Sequence, residues 1–182
     1  MEKRGLVGIF LVLLIAGVIS FFFDMQILQY IISLRVGYLD LFFLIISGVV
    51  KYVVVIGLIV GVYFFLKKEI KLSIKIIGSL LVSLGIVYLL KFIVDRSRPM
   101  VLQLFNTLSD ASFPSAHAAS VFCLLPLFWL KYRRMRWIWL MFCVLVGFSR
   151  LYIGVHYLSD VLFGAFIGIG IGLFVLKISC LD

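Results

Sequence analysis

The sequence predicts an all-α membrane protein: a bundle of six transmembrane helices with a short interfacial amphipathic segment after the first helix. Three observations carry this. Of the 182 residues, 65% belong to the set AVILMFWYC, against roughly 45–50% apolar in soluble domains. Mean hydropathy is +1.27. The apolar residues also fall into runs close to the ~20 residues that a membrane helix needs. About 118 apolar residues supply roughly six such runs and little else. Water-soluble, disordered, collagenous and disulfide-rich classes are excluded together, and the length suits a single domain over 1–182.

Gly5 to Phe23 carries no charge and follows Lys3 and Arg4. No small-residue cleavage site follows it and further spans do, so it reads as a retained first helix, not a signal peptide. Asp24 to Leu44 mixes Asp24, Arg35 and Asp40 into apolar sequence, which suits a segment lying in the interface. The remaining spans are expected over about 47–66, 74–91, 117–130, 137–149 and 160–176.

The formal charge is +9, from 17 Lys and Arg against 8 Asp and Glu. The bases lie between apolar runs, not along one polar face, so they set topology and do not suggest a nucleic-acid partner. With the N-terminus inside, the inner loops hold eleven: Lys3, Arg4, Lys67, Lys68, Lys71, Lys75, Lys131, Arg133, Arg134, Arg136 and Lys177. The outer side holds five, Arg35, Lys91, Arg96, Arg98 and Arg150, with Lys51 near the outer end of its helix. Basic residues accumulate on the cytoplasmic side, so both termini are expected in the cytoplasm of a multi-pass cell-membrane protein. Gly164, Gly168 and Gly172 form a small-residue stripe suited to close packing within the bundle. Cys123, Cys143 and Cys180 are odd in number, sit in or beside apolar runs and read as packing residues.

Charges in or beside spans are costly and mark functional candidates. Here they form three clusters, Lys91 to Pro99, Phe113 to His117 and Ser149 to Asp160, all at helix ends assigned to the outer face. Lys91, Arg98 and Arg150, with Arg96 close by, suit phosphate oxygens. The Ser115 hydroxyl and the amides opening the fourth span add donors. His117 and His156 are the only histidines, and Asp160 follows His156 by four residues, which puts both on one face if that stretch is helical. A carboxylate on one ring nitrogen fixes the tautomer and leaves the other as a nucleophilic lone pair. Plainer readings exist: Lys51 and Lys91 snorkelling, Asp160 and Ser115 as helix caps. His117, His156 and Asp160 also number three possible zinc ligands, but their spacing matches no metal motif and neighbouring cations repel Zn²⁺. No metal or other cofactor is expected.

On these residues the chain resembles the type 2 phosphatidic acid phosphatase family, whose core is shared with the vanadium haloperoxidases. That family's signature runs K-x6-R-P, then P-S-G-H, then S-R-x5-H-x3-D. The first part is matched by Lys91, Arg98 and Pro99, and the third by Ser149, Arg150, His156 and Asp160. The second is matched by Pro114, Ser115 and His117, with Ala116 in place of glycine. Alanine keeps the amide but disfavours positive φ. The motif core spans 91–160.

The resemblance implies that His156 attacks phosphorus to form a phosphohistidine and that Asp160 orients it. His117 would protonate the leaving oxygen and then activate water. Lys91, Arg98, Ser115, Ala116 and Arg150 would hold the phosphate oxygens. Ser149, Tyr152 and Gly154 are expected to pack around the loop. The activity so implied is metal-independent hydrolysis, at the outer face, of a lipid phosphate or diphosphate entering from the bilayer. A polyprenyl diphosphate is favoured over phosphatidylglycerophosphate and phosphatidate. A non-hydrolytic lipid-phosphate binder or transporter is the rival from another class; it would need the cations but not two histidines and Asp160.

Overall fold

A computed structural model of the chain describes residues 2–101, 104, 110–132 and 134–178. Arg133, Cys180 and the side chains of Lys3, Arg4 and Lys51 lie outside the described residues. Among the described residues every regular element is helical: α1 (Glu2–Ser20), α2 (Asp24–Ser33), α3 (Gly37–Leu66), α4 (Ile70–Val94), α5 (Ala116–Phe122), α6 (Leu125–Leu130), α7 (Arg136–Ile153) and α8 (Leu158–Ile178).

The chain turns by 93° between α1 and α2. The segment after the first helix is shorter than the sequence suggested, because it ends at Ser33 and residues 37–44 open α3 instead. The physical reason is that Asp40 is not left to water: its carboxylate accepts a 2.8 Å hydrogen bond from the Tyr152 hydroxyl. The span expected over 117–130 is broken between α5 and α6. Pro126 lies in the first turn of α6, where its missing N–H costs nothing but cannot continue the helix before it.

By length and apolarity α3, α4, α7 and α8 cross a membrane, and the bent α1–α2 pair makes a fifth crossing if taken as one span. The remaining apolar stretch, Ala116–Leu130, is shorter than these spans. Large apolar side chains face outward along these helices, among them Ile15, Ile59, Val62 and Ile138. Buried polar groups lie inside, including Asp24, Lys91, Ser115, Arg150, His156 and Asp160. The protein is therefore a multi-pass helical membrane bundle with a polar interior at one end.

Helix α8 runs against α1, α4 and α5. A β-carbon at Gly164 would stand 2.5 Å from the Ser115 carbonyl oxygen, and one at Gly168 would stand 2.6 Å from that of Ala119. The glycine stripe is thus spent on packing α8 against α5. Cys123 and Cys143 are buried free thiols in the core, as expected of packing residues. This close approach matters for the site: it brings the start of α5 onto the first turn of α8, where the Ser115 amide donates to the Asp160 carbonyl at 3.0 Å.

Candidate active site

The three clusters meet at the end of the bundle formed by the last turns of α4 and α7 and the first turns of α5 and α8. Helix α7 ends on Gly154 with φ of 85°, a left-handed conformation that a side chain would strain. Gly154 turns the chain into a short loop that carries His156 back to α8. Ser149 is buried with its hydroxyl on Val146 O. Tyr152 is buried, and its backbone oxygen accepts from Arg35 Nε at 2.8 Å. These residues build the wall behind the loop.

His156 is 2% exposed, and its Nδ1 lies 3.4 Å from Asp160 Oδ2 without forming a hydrogen bond. Burial, and then the charges of Arg150, Arg98 and Lys91, hold its imidazole well below the usual histidine range, with a Ser112 backbone hydrogen bond acting the other way. The ring is therefore neutral near pH 7. Nδ1 faces the carboxylate, so Nε2 is the nitrogen on the opposite side of the ring.

Asp160 is held from several directions. Its Oδ2 accepts from the Tyr157 amide at 2.9 Å and its Oδ1 from Arg96 Nη1 at 2.8 Å. Arg96 reaches past it to Asp24 Oδ2, also at 2.8 Å. Asp24 in turn accepts from the Ser159 amide at 2.9 Å. The guanidinium stacks on Tyr157 at 4.1 Å and on Phe21 at 5.0 Å. Arg96 thus ties the α1–α2 corner to the carboxylate beside His156 and is turned away from the other cations.

Those cations gather on the other side. Arg98 Nη1 donates to Val155 O at 2.8 Å, next to His156. Asp110 bridges two of them, Oδ1 at 2.6 Å from Arg98 Nη2 and Oδ2 at 3.1 Å from Lys91 Nζ. Burial pushes the Asp110 carboxyl up, but its bonds to Arg98 and Lys91 outweigh that and hold it below the usual carboxylate range. Arg150 is buried; one Nη bonds Ser47 Oγ while its Nε has no partner. The Ser115 hydroxyl is likewise buried, makes no cap bond and has no partner. A buried donor without a partner costs ~1–3 kcal/mol, and Arg150 Nε and the Ser115 hydroxyl are two such groups within the three clusters.

Ala116 and His117 form the first turn of α5, both half-buried. Ala116 takes ordinary helical backbone, so alanine in place of glycine brings no strain here. The first amides of a helix have no partners within it, which leaves Ala116 N–H available as a donor.

Sequence reasoning missed Asp24, Ser47, Asp110 and the direction of Arg96. Asp24 carried a signal, a carboxylate next to an uncharged run, but it was absorbed into the interfacial segment. Asp110 lies in an unremarkable polar loop and carried none.

A family model described as the PAP2 superfamily matches residues 72–179. Among curated relatives, Bacitracin transport permease protein BcrC of Bacillus licheniformis is 40% identical over 77 residues, covering 42% of this chain and 38% of that protein. Undecaprenyl-diphosphatase BcrC of Bacillus subtilis (strain 168) is 34% identical over 101 residues, covering 53% of this chain and 52% of that protein. The matched region thus spans about half the length, or less, of these relatives. The crystal structure of a transmembrane PAP2-type phosphatidylglycerolphosphate phosphatase from Bacillus subtilis superposes with a TM-score of 0.78 at 24% identity, covering 95% of this chain and 94% of that one. That likeness establishes the fold.

Proposed function

The chain belongs to the PAP2 superfamily, and on that premise we propose that it is a membrane lipid phosphatase that removes a terminal phosphate through a phosphohistidine on His156. The observation that carries this reading is a buried His156 with Asp160 at 3.4 Å on one side; burial and the charges of Arg150, Arg98 and Lys91 favour its neutral form. A neutral imidazole has the lone pair that attack requires. The cations stabilise charge on the equatorial oxygens of a transferring phosphoryl group.

In the proposed reaction His156 Nε2 forms a bond to phosphorus as the bond to the leaving oxygen breaks. His117 gives that oxygen a proton. Asp160 stabilises the positive imidazole. Water, deprotonated by His117, then attacks phosphorus and frees phosphate and His156. Lys91, Arg98, Arg150, the Ser115 hydroxyl and the Ala116 amide hold the oxygens throughout, so the reaction needs no metal.

The substrate enters laterally from the bilayer. A polyprenyl diphosphate is the favoured class, supported by the name of the Bacillus subtilis diphosphatase relative; phosphatidylglycerophosphate and phosphatidate are the alternatives. The site faces outward and both termini lie in the cytoplasm, on the strength of the eleven-to-five division of Lys and Arg. The test is phosphate release from these three lipids in detergent with excess chelator. Turnover of at least one is expected. Binding of all three without release would instead support a binder or transporter.

A further inference from the structure

The phosphate-binding cations are already engaged by a carboxylate. Asp110 places one oxygen on Lys91 and the other on Arg98, the arrangement that two oxygens of a phosphoryl group would adopt. Its side chain is 38% exposed, so it has room to leave. The same two cations also hold its backbone through further bonds: Arg98 Nε donates to Asp110 O at 3.0 Å, and Lys91 Nζ donates to Ala111 O. The Arg98 Nε bond to Asp110 O uses an atom the carboxylate does not, so it can persist when the carboxylate is displaced.

We propose that Asp110 is a specificity-determining residue: an internal counter-anion that must be displaced, and that favours terminal phosphates over the phosphodiester headgroups of ordinary membrane lipids. The inference rests on the phosphatase reading of the site. A phosphodiester carries one negative charge, the same as Asp110, so exchanging one for the other gains no net attraction to Lys91 and Arg98. A terminal phosphate carries close to two charges at pH 7, and a terminal diphosphate more, so either exchange is favourable. An enzyme immersed in diester lipids meets them at far higher concentration than its substrate. Without Asp110 the two cations would be open to any anionic headgroup. The low titration range of Asp110 keeps its charge in place down through mildly acidic pH.

The test uses full-length protein in neutral-detergent micelles with graded phosphatidylglycerol, a monoanionic diester. Asp110→Asn removes the charge at constant size, and Asp110→Glu keeps it. Phosphatidylglycerol is expected to inhibit phosphate release by Asp110→Asn at about tenfold lower mole fraction than for wild type, the worth of one charge-assisted bond. Asp110→Glu should resemble wild type. Thermal stabilisation by phosphatidylglycerol, which needs no turnover, should rise in Asp110→Asn alone. Equal diester sensitivity in wild type and Asp110→Asn, a Glu variant that behaves like Asn, or an Asn variant that fails to fold would each overturn the proposal. If wild type releases no phosphate from any lipid, the phosphatase reading fails, and the stabilisation measurement still reports separately on Asp110.

Discussion

Arg96 donates to Asp160 Oδ1 at 2.8 Å while its other terminal nitrogen donates to Asp24 Oδ2 at the same distance. Of the two neighbouring arginines in the first cluster, only Arg98 is directed to the anion side. In the proposed mechanism Arg96 would be a positioning residue, holding the carboxylate beside His156. Arg96→Lys keeps the charge but loses the planar fork. It is expected to lower kcat by about 10²-fold, the scale of a small misplacement at a reacting centre, with little change in KM. Arg96→Ala leaves two buried carboxylates without their partner and should also cost roughly 3–5 kcal/mol of stability. A rise in KM with kcat intact would place Arg96 in substrate binding instead.

Ser115 and Ala116 offer a test in which activity and stability move apart. The Ser115 hydroxyl is buried without a partner, so Ser115→Ala should leave the melting temperature unchanged or raise it while increasing KM. Ala116→Gly restores the family's residue at a position that is already helical. It should bring no gain in kcat and a stability loss of up to about 1 kcal/mol. A marked activation by Ala116→Gly would mean that the loop takes a different conformation with substrate bound.

The titration of His156 sets the acid limb. Its folded value lies below the ordinary 6.5, so kcat/KM should hold through pH 6.5 and fall only at lower pH. Arg150 is the first of the charges acting on it, after burial, and Arg150→Met should move that limb upward. Stability follows the same sign. An unfolded chain takes up the His156 proton near 6.5 and the folded one does not, so this contribution is complete above 6.5 and declines as pH falls. Asp110, held low, adds a second loss as pH falls through its folded value. Melting curves of the detergent-solubilised protein between pH 4 and 8 would show the His156 loss on the acid side, with the Asp110 loss following below pH 4; melting that improves as pH falls from 8 to 4 would contradict the assignment.

His117 is separable from His156 by leaving group. General acid catalysis is worth ~10²–10⁴-fold, and an alkoxide leaving from phosphatidate needs nearly all of it. A prenyl monophosphate or nitrophenolate needs much less. In rapid-quench measurements His117→Ala should cripple phosphoenzyme formation from alkyl monophosphates and largely spare it from activated esters. Equal slowing with both classes would assign His117 to phosphate binding.

Orientation is read by labelling. In a background lacking Cys123, Cys143 and Cys180, a cysteine at Met100, an almost fully exposed position (96%) at the site end, should react with an impermeant reagent in intact cells. One at Arg134, in the connection between α6 and α7, should not. The reverse pattern would invert the topology.

The three clusters were legible because each puts costly polar residues among apolar runs, and Lys91, Arg98, Arg150 and His156 do act on one another in the fold. Which way a side chain turns was not legible. Arg96 and Arg98 are two residues apart, yet one meets Asp24, 72 positions away, and the other meets Asp110. The Arg96–Asp24 pairing depends on the 93° turn between α1 and α2, which no local pattern encodes. The break between α5 and α6 was within reach, since Pro126 cannot sit inside a continuous helix. The extension of α3 back to Gly37 was not, because it rests on the Asp40–Tyr152 hydrogen bond across 112 positions.

The central claim is covalent chemistry at His156, and trapping the intermediate tests it most directly. Protein mixed with a lipid phosphate labelled in its terminal phosphate, in excess chelator, should be quenched within a single turnover and digested. An alkali-stable, acid-labile label is expected on the peptide carrying His156. The label should be absent from His156→Ala, which should also have no turnover. It should form far more slowly in Asp160→Asn, by about 10⁴-fold if Asp160 acts as the aspartate of a serine-protease triad does. Turnover that continues in His156→Ala, or turnover in wild type with no label on that peptide, would contradict it.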